Sequence, residues 1–417
     1  MGQKDWRFAC PASKIKPVMK VLYIHNEYAR PSGEEHASSE LASLLQEHGH
    51  KVEWFKRSSA EIAGSRLGMV KSFFTGIYNP YSARQLAIAL DNFRPDIVQV
   101  QNLYPLLSTS IFKPLKDRHI PIVMRCPNYR LFCPNGLCLD NEGKVCEKCF
   151  SGLKEWWCVW KNCEGNHFKS LGYAVRNCYA RMTGAILRNV DCFIVQSEFQ
   201  RQKFIEKGIP IEKIGILPGI SPVIETIGNH DIGDAVTFVG RVSAEKGINE
   251  FVEAAKQLAH IPFKVAGNID SNYHVPNNLP SNIEFLGFVG GENLNDLYRK
   301  SRIIVVPSKW YEGFPNVIVR GMLLERPVVT TNIGAMQSII DDGINGRLVP
   351  PGDATRLSMA IEELWGDKEQ CVKMGVAGRQ KALKLYSREN IYKQLEVIYH
   401  RAQQNNMERN LPNIIEC

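Results

Sequence analysis

The sequence predicts an α/β protein built from two doubly wound parallel sheets. Short apolar runs alternate with helix-length amphipathic segments from Met19 onward, a turn-rich stretch without period interrupts them near mid-chain, and the same alternation then restarts. Length agrees, because 417 residues exceed what one hydrophobic core usually organises.

In the first series Met19–His25 reads as a strand, followed by the loop 26–33 and a helix from about Glu34 to His48. Val52–Phe55 is the next strand, Ala83–Asn92 a helix, and Asp96–Gln101 and Ile120–Arg125 are buried strands. Cys192–Gln196 is a late strand backed by a helix at Glu198–Lys207. Pro218–Asp234 is rich in turn formers and reads as a linker. The second series runs through Val236, Phe263–Gly267, Ile283–Leu286, Ile303–Val306 and Pro327–Thr331. The expected organisation is a first domain over 19–217 with a cysteine-rich insertion at 126–163, a linker at 218–233, a second domain over 234–385, and a last helix over 386–402.

The formal net charge is +8, and the basic residues are scattered rather than blocked together, so no nucleic-acid partner is expected. No apolar run reaches the roughly 20 residues that span a bilayer. The first eighteen residues lack the apolar core of a signal peptide, which points to a cytoplasmic protein with Met19 as an alternative start. The basic and aromatic stretch from Arg66 to Arg84 suits either a peripheral membrane contact or an amphipathic helix packed on the first domain.

Two segments carry the chemistry. After the strand Ile303–Val306 come Glu312, Gly313, Phe314, Pro315 and Asn316, then a helical pattern containing Arg320. Open N–H groups at that helix start favour an anion, and the Glu312 carboxylate accepts hydroxyl protons. About seventy residues upstream, a strand ends at Gly240 and is followed by the cations Arg241 and Lys246, suited to neutralising a diphosphate. In the first domain, Gly33 in the first strand-to-helix loop would let a phosphate approach the backbone at the carboxyl edge of the sheet.

In this order the segments resemble the retaining glycosyltransferases of family 4, over nearly the whole chain from Met19 to about Arg401. The resemblance implies the GT-B fold, with two Rossmann-like domains facing across a cleft. It implies that Arg241 and Lys246 grip the diphosphate of a nucleotide-sugar and that Glu312 contacts the donor sugar, with Gly33, Gly240, Gly313, Phe314, Pro315, Asn316 and Arg320 on the donor side. The acceptor would be a hydroxyl of a glycan or lipid-linked glycan, attacked on the face the leaving group departs from, with no catalytic metal required. In the family a second Glu commonly stands where this chain has Arg320, and a guanidinium cannot accept hydrogen bonds from a ribose diol. Glu325, Gln337 and Pro127 also depart from the common pattern, Pro127 standing where His usually precedes the Asn-Tyr pair. These departures suit either a donor with an extra anionic group or a silent GT-B protein that binds a nucleotide or glycan and supports a partner transferase. Tyr129 and Arg130 are acceptor-side candidates or loop pins.

Seven of the twelve cysteines fall between Cys126 and Cys163. Cys146 and Cys149 have the spacing that directs two thiolates at one metal. Cys133 and Cys163 complete a candidate structural zinc site, related sequences sharing these four positions. Cys138 and Cys158 are substitutes, and buried free thiols are the alternative.

Overall fold

The computed structural model of the chain describes residues 18–28, 33–62, 67–150, 154–220, 224, 232–271 and 273–411. Two wholly parallel six-stranded sheets form among them. The first contains β1 (Lys20–Glu27), β2 (Lys51–Ser58), β3 (Ile97–Asn102), β4 (Ile122–Arg125), β5 (Cys192–Val195) and β6 (Ile214–Ile216), in the order β2-β1-β3-β4-β5-β6. The second contains β7 (Ala235–Val239), β8 (Phe263–Ala266), β9 (Ile283–Gly287), β10 (Ser301–Val306), β11 (Val328–Thr331) and β12 (Gly346–Val349), in the order β12-β11-β10-β7-β8-β9. The strands β3, β4, β5 and β11 are buried throughout, so polar residues such as Gln99 and Thr330 are enclosed along with the apolar ones.

Strand order reverses between β1 and β3 in the first sheet and between β7 and β10 in the second. The loops leaving those neighbours diverge to opposite faces, so a crevice opens at the carboxyl edge of each sheet. In the first sheet the register between β1 and β3 also slips at Ile24/His25, beside that crevice.

The last helix, Arg388–Asn410, runs eight residues beyond the expected end at 402. Ser387 caps it, its side chain accepting from the Asn390 N–H. Ile391, Leu395, Ile398, Tyr399 and Ala402 then join a core with Val21, Tyr23, Leu41, Ile97 and Ile194 of the first domain. Tyr399 Oη donates to Gln99 Oε1 at 2.6 Å, and Arg388 bridges Glu40 at 2.8 Å and Glu47 at 2.6 Å. The preceding helix, Lys368–Tyr386, packs on the second domain, so the chain ties both domains together within two helices. Of the expected linker, only 218–220, 224, 232 and 233 lie among the described residues.

The basic and aromatic stretch forms the helix Gly68–Ile77, with Arg66 outside the described residues, and the next helix, Pro80–Phe93, starts earlier than expected because Asn79 caps it and Pro80 opens it. Among the described residues no helix is long and apolar enough to cross a membrane.

The docking of the last helix is tight enough to test. A Cβ on Gly215 would stand 2.5 Å from Ile398 Cγ1. Gly215→Ala is expected to lower unfolding free energy by about 1–3 kcal/mol through overpacking. In chemical denaturation, Gly215→Ala combined with Ile398→Ala should lose less than the sum of the single variants, because the second change vacates the space the first requires.

Candidate functional site

The crevice of the second sheet gathers most of the expected donor-side residues. The loop after β7 carries Gly240, Arg241 and Lys246, and the loop after β10 carries Ser308, Trp310, Glu312 and Gly313. Glu312 is the junction between them. It is only 7% exposed, and its Oε1 accepts from Lys246 Nζ at 2.7 Å, Ser308 Oγ at 2.6 Å and Trp310 Nε1 at 3.2 Å. Burial is the largest influence on this carboxyl and pushes it up, but the Lys246 charge and the three donors together hold it below the usual carboxylate range. Glu312 is therefore ionised at neutral pH, and its Oε2 takes no donor from the described residues.

Lys246 lies 5.3 Å from the centre of the Trp310 ring, which adds a cation–π contact to the ion pair. Gly247 follows it with φ 78°, and a Cβ there would stand 1.9 Å from the Pro307 carbonyl oxygen. Only glycine lets the two loops approach so closely, and this position deserves a place among the site residues that sequence reasoning did not give it.

Arg241 is engaged by two carboxylates. Its Nη1 contacts Asp270 Oδ2 at 2.9 Å and its Nη2 contacts Glu245 Oε1 at 2.5 Å. The side chain is 49% exposed, so these pairs are weakly held and exchangeable for a phosphate. Arg320, on the helix Asn316–Leu323, donates to Asn295 Oδ1 of the neighbouring helix Gly291–Arg299. Phe314 turns away, packing edge-on against Tyr386 at 5.2 Å, and both Phe314 and Asn316 crowd Gly219. Pro315 precedes the first turn of the Asn316–Leu323 helix, which has no side-chain cap.

The two domains meet beside Glu312. A Cβ on Gly313 would lie 2.6 Å from the Pro127 carbonyl oxygen and 2.4 Å from Gln196 Oε1. Tyr311 packs between Phe199 at 4.7 Å and Tyr129 at 6.0 Å. Tyr129 is thus 1% exposed within the core, where burial raises its phenol above the ordinary range and its hydroxyl finds no partner.

The first-domain crevice holds Arg130, whose Nη1 donates to Asn102 Oδ1 at 3.1 Å and Tyr28 Oη at 3.4 Å. Gly33 opens the helix Gly33–Glu47, while residues 29–32 of its loop lie outside the described residues. Glu34 and Glu35 occupy the first turn, accepting from Tyr28 Oη at 2.9 Å and the Tyr28 N–H at 2.7 Å. Three buried polar residues were missed: His25, Gln101 and Arg125. His25 has no hydrogen bond at either ring nitrogen, and burial lowers its pKa. Gln101 Nε2 and Arg125 Nε are also unpartnered. The available signal was a polar residue near the carboxyl end of an apolar strand in each case.

The expected zinc ligands lie near one another, since Cys133, Cys163 and Cys146 all act electrostatically on the Cys149 thiol. Among the described residues no group of three or more His, Cys, Asp or Glu side chains is arranged to hold a metal ion. Within the insertion Cys133 and Cys138 are hydrogen-bonded through their side chains, as are Cys158 and Cys163. A hydrogen bond from Cys138 brings the Cys133 thiol down to about 7, whereas burial pushes Cys149 up to about 12.

The Glu312 junction predicts a pH signature. A depressed carboxyl contributes stability that is complete above its unfolded value, 4.5, and is lost as pH falls through the lower folded value. Glu312→Gln should therefore be less stable than the native chain by about 1–3 kcal/mol at pH 7. Denaturant titrations from pH 7 to pH 3 should show that gap closing in acid; a gap independent of pH would contradict an ionised Glu312.

Comparison with known proteins agrees with this geometry. Residues 233–367, the domain that carries Lys246 and Glu312, match the family described as Glycosyl transferases group 1. A glycosyltransferase of Methanocaldococcus jannaschii, itself uncharacterised, is 30% identical over 198 residues, 46% of this chain and 54% of that protein. The capsular polysaccharide biosynthesis glycosyltransferase CapM of Staphylococcus aureus is 26% identical over 175 residues, 40% of this chain and 45% of its own. The chain thus spans about half the length of these relatives. Among solved structures, HepE of Anabaena in complex with UDP superimposes with a TM-score of 0.62 at 16% identity, covering 91% of this chain and 99% of HepE. Residues 233–367 are thus similar to a group 1 glycosyltransferase domain, and the chain shares the GT-B fold of these solved structures.

Proposed function

We propose that the chain is a retaining glycosyltransferase that moves a sugar from a nucleotide-activated donor to a hydroxyl of a glycan or lipid-linked glycan, in the synthesis of a cell-surface polysaccharide. The observation that carries this reading is Glu312, held ionised at the β7/β10 switch point by Lys246 with Oε2 left for a ligand. A carboxylate so placed accepts hydrogen bonds from sugar hydroxyls, and the crevice beside it suits a nucleoside diphosphate. CapM, a relative named for capsular polysaccharide synthesis, supports the product class.

In this reading Lys246 and Arg241 meet the diphosphate. Arg241 exchanges Glu245 or Asp270 for a phosphate oxygen, and both cations stabilise the negative charge that grows on the leaving group. The bond from the anomeric carbon to the phosphate oxygen breaks, a bond from that carbon to the acceptor oxygen forms on the same face, and the acceptor proton passes to the departing phosphate. Glu312 orients the sugar. With the diphosphate charge met by side chains, the scheme requires no bound divalent metal.

Two outcomes test it. Purified protein should show a selective thermal shift with one class of nucleotide-sugar, undiminished by a chelator, and Glu312→Ala should reduce turnover at least a hundredfold, the scale for losing a transition-state contact. Turnover unchanged in Glu312→Ala would remove that residue from the reaction. Arg320→Glu should change the ranking of donors across UDP-, GDP-, TDP-, ADP- and CMP-sugars, since it replaces a pure donor by a pure acceptor of hydrogen bonds. An identical ranking would exclude Arg320 from donor choice.

A further inference from the structure

A second cavity of about 460 Å³ lies in the first domain, between the helices Gly68–Ile77 and His167–Thr183. Its lining includes three cations, Arg130, Lys169 and Arg176, and among the described residues no carboxylate. Lys169 is paired with Glu164 at 2.6 Å. The two guanidiniums are not so matched. Arg176 is 5% exposed and lies flat between the rings of Tyr104 at 4.2 Å and Tyr173 at 4.0 Å. Its hydrogen bonds go to neutral oxygens, from Nη2 to the Pro134 carbonyl at 3.0 Å and from Nε to Asn177 Oδ1 at 3.4 Å. Arg130 likewise bonds Asn102 and Tyr28, with its Nε enclosed and unpartnered, and Glu34 reaches it through the Tyr28 hydroxyl. Two neighbouring guanidiniums, Arg176 buried and Arg130 half-buried, without a direct carboxylate are costly unless an anion joins them.

The other walls are apolar. Met69, Phe73 and Phe168 line the cavity, and Met69 and Phe168 are 62% and 42% exposed at its mouth. On the same helix Val70 and Phe74 are also exposed, extending an apolar rim beyond the opening. A cavity with a cationic floor and an apolar exit fits a molecule that is anionic at one end and hydrocarbon at the other.

We propose that this cavity binds a phosphorylated amphiphile, with the phosphate between Arg130 and Arg176 and the hydrocarbon chain leaving along Met69, Phe73 and Phe168. The assignment rests on the reading of the first domain as the acceptor side, and it gives the acceptor a chemical class. Arg130 also lines the neighbouring cavity of about 210 Å³ together with Asn102, Arg125 and Pro127. Pro127 touches Gly313, so a phosphate held at Arg130 lies on the route to the interdomain cleft beside Glu312.

The test is calorimetric titration of the full chain with decyl phosphate, decyl maltoside and inorganic phosphate, below the critical micelle concentrations. Decyl phosphate should bind at least tenfold more tightly than either comparator. Arg176→Gln should reduce that affinity at least tenfold. Gly76 lines the cavity, and a Cβ there would meet nothing closer than 3.8 Å, so Gly76→Leu fills the space with both arginines intact and should reduce binding similarly even if Arg176→Gln does not fold. Equal binding of decyl maltoside would overturn the phosphate floor, equal binding of inorganic phosphate would overturn the chain exit, and full affinity in Gly76→Leu would overturn the cavity itself. Donor binding by the native chain is scored separately: decyl phosphate binding without any donor response sinks the transferase reading alone, and donor response without decyl phosphate binding sinks this inference alone.

Discussion

The ion pair between Lys246 and Glu312 fixes the geometry on which the rest of the site depends. A parallel sheet ends all its strands at one edge, but only where the strand order reverses do two adjacent loops part and leave room. In the second sheet those loops follow β7 and β10, and the pair joins them across the gap at 2.7 Å. The close approach is secured by backbone as well as charge, since Gly247 sits against the Pro307 carbonyl where no side chain fits. Burial alone would raise the Glu312 carboxyl and threaten its ionisation, so Lys246, Ser308 and Trp310 are needed to keep it charged. One consequence is asymmetry at the carboxylate: the protein spends its donors on Oε1, and the other oxygen is the one a ligand can use.

Much of this was legible in the sequence because it is local. The strand runs, the glycines that end them and the Glu312 turn all lie within short windows, and the order of windows was enough to indicate two doubly wound domains. What escaped was set by distance along the chain. Arg241 meets Asp270 from 29 residues away, and nothing in the intervening sequence marks that partner. Tyr129 had two readings, acceptor contact or loop pin, and the Tyr311 ring that packs on it comes from the other domain. The cysteine spacing suggested a foursome, and the tight hairpin linking Leu139 to Val145 adds a further thiol to it by carrying Cys146 back against Cys138, whose carbonyl accepts the Cys146 N–H at 2.8 Å. Spacing alone does not reveal which of several nearby thiols a turn will bring together.

The first domain follows the same edge rule with different chemistry. Near their carboxyl ends its strands β1, β3 and β4 carry His25, Gln101 to Asn102, and Arg125, polar groups that burial would penalise if they had no purpose at the edge. Several of their polar atoms have no partner, in contrast to the fully engaged Oε1 of Glu312. A site that binds a highly charged donor and a site that binds a neutral hydroxyl attached to something larger have different electrostatic needs. In the second domain the half-exposed Arg241 is screened by Glu245 and Asp270, while Lys246 is committed to Glu312. The first domain keeps Arg125, Arg130 and Arg176 without direct carboxylate partners among the described residues, which raises the local positive potential permanently and makes an anion the natural complement there.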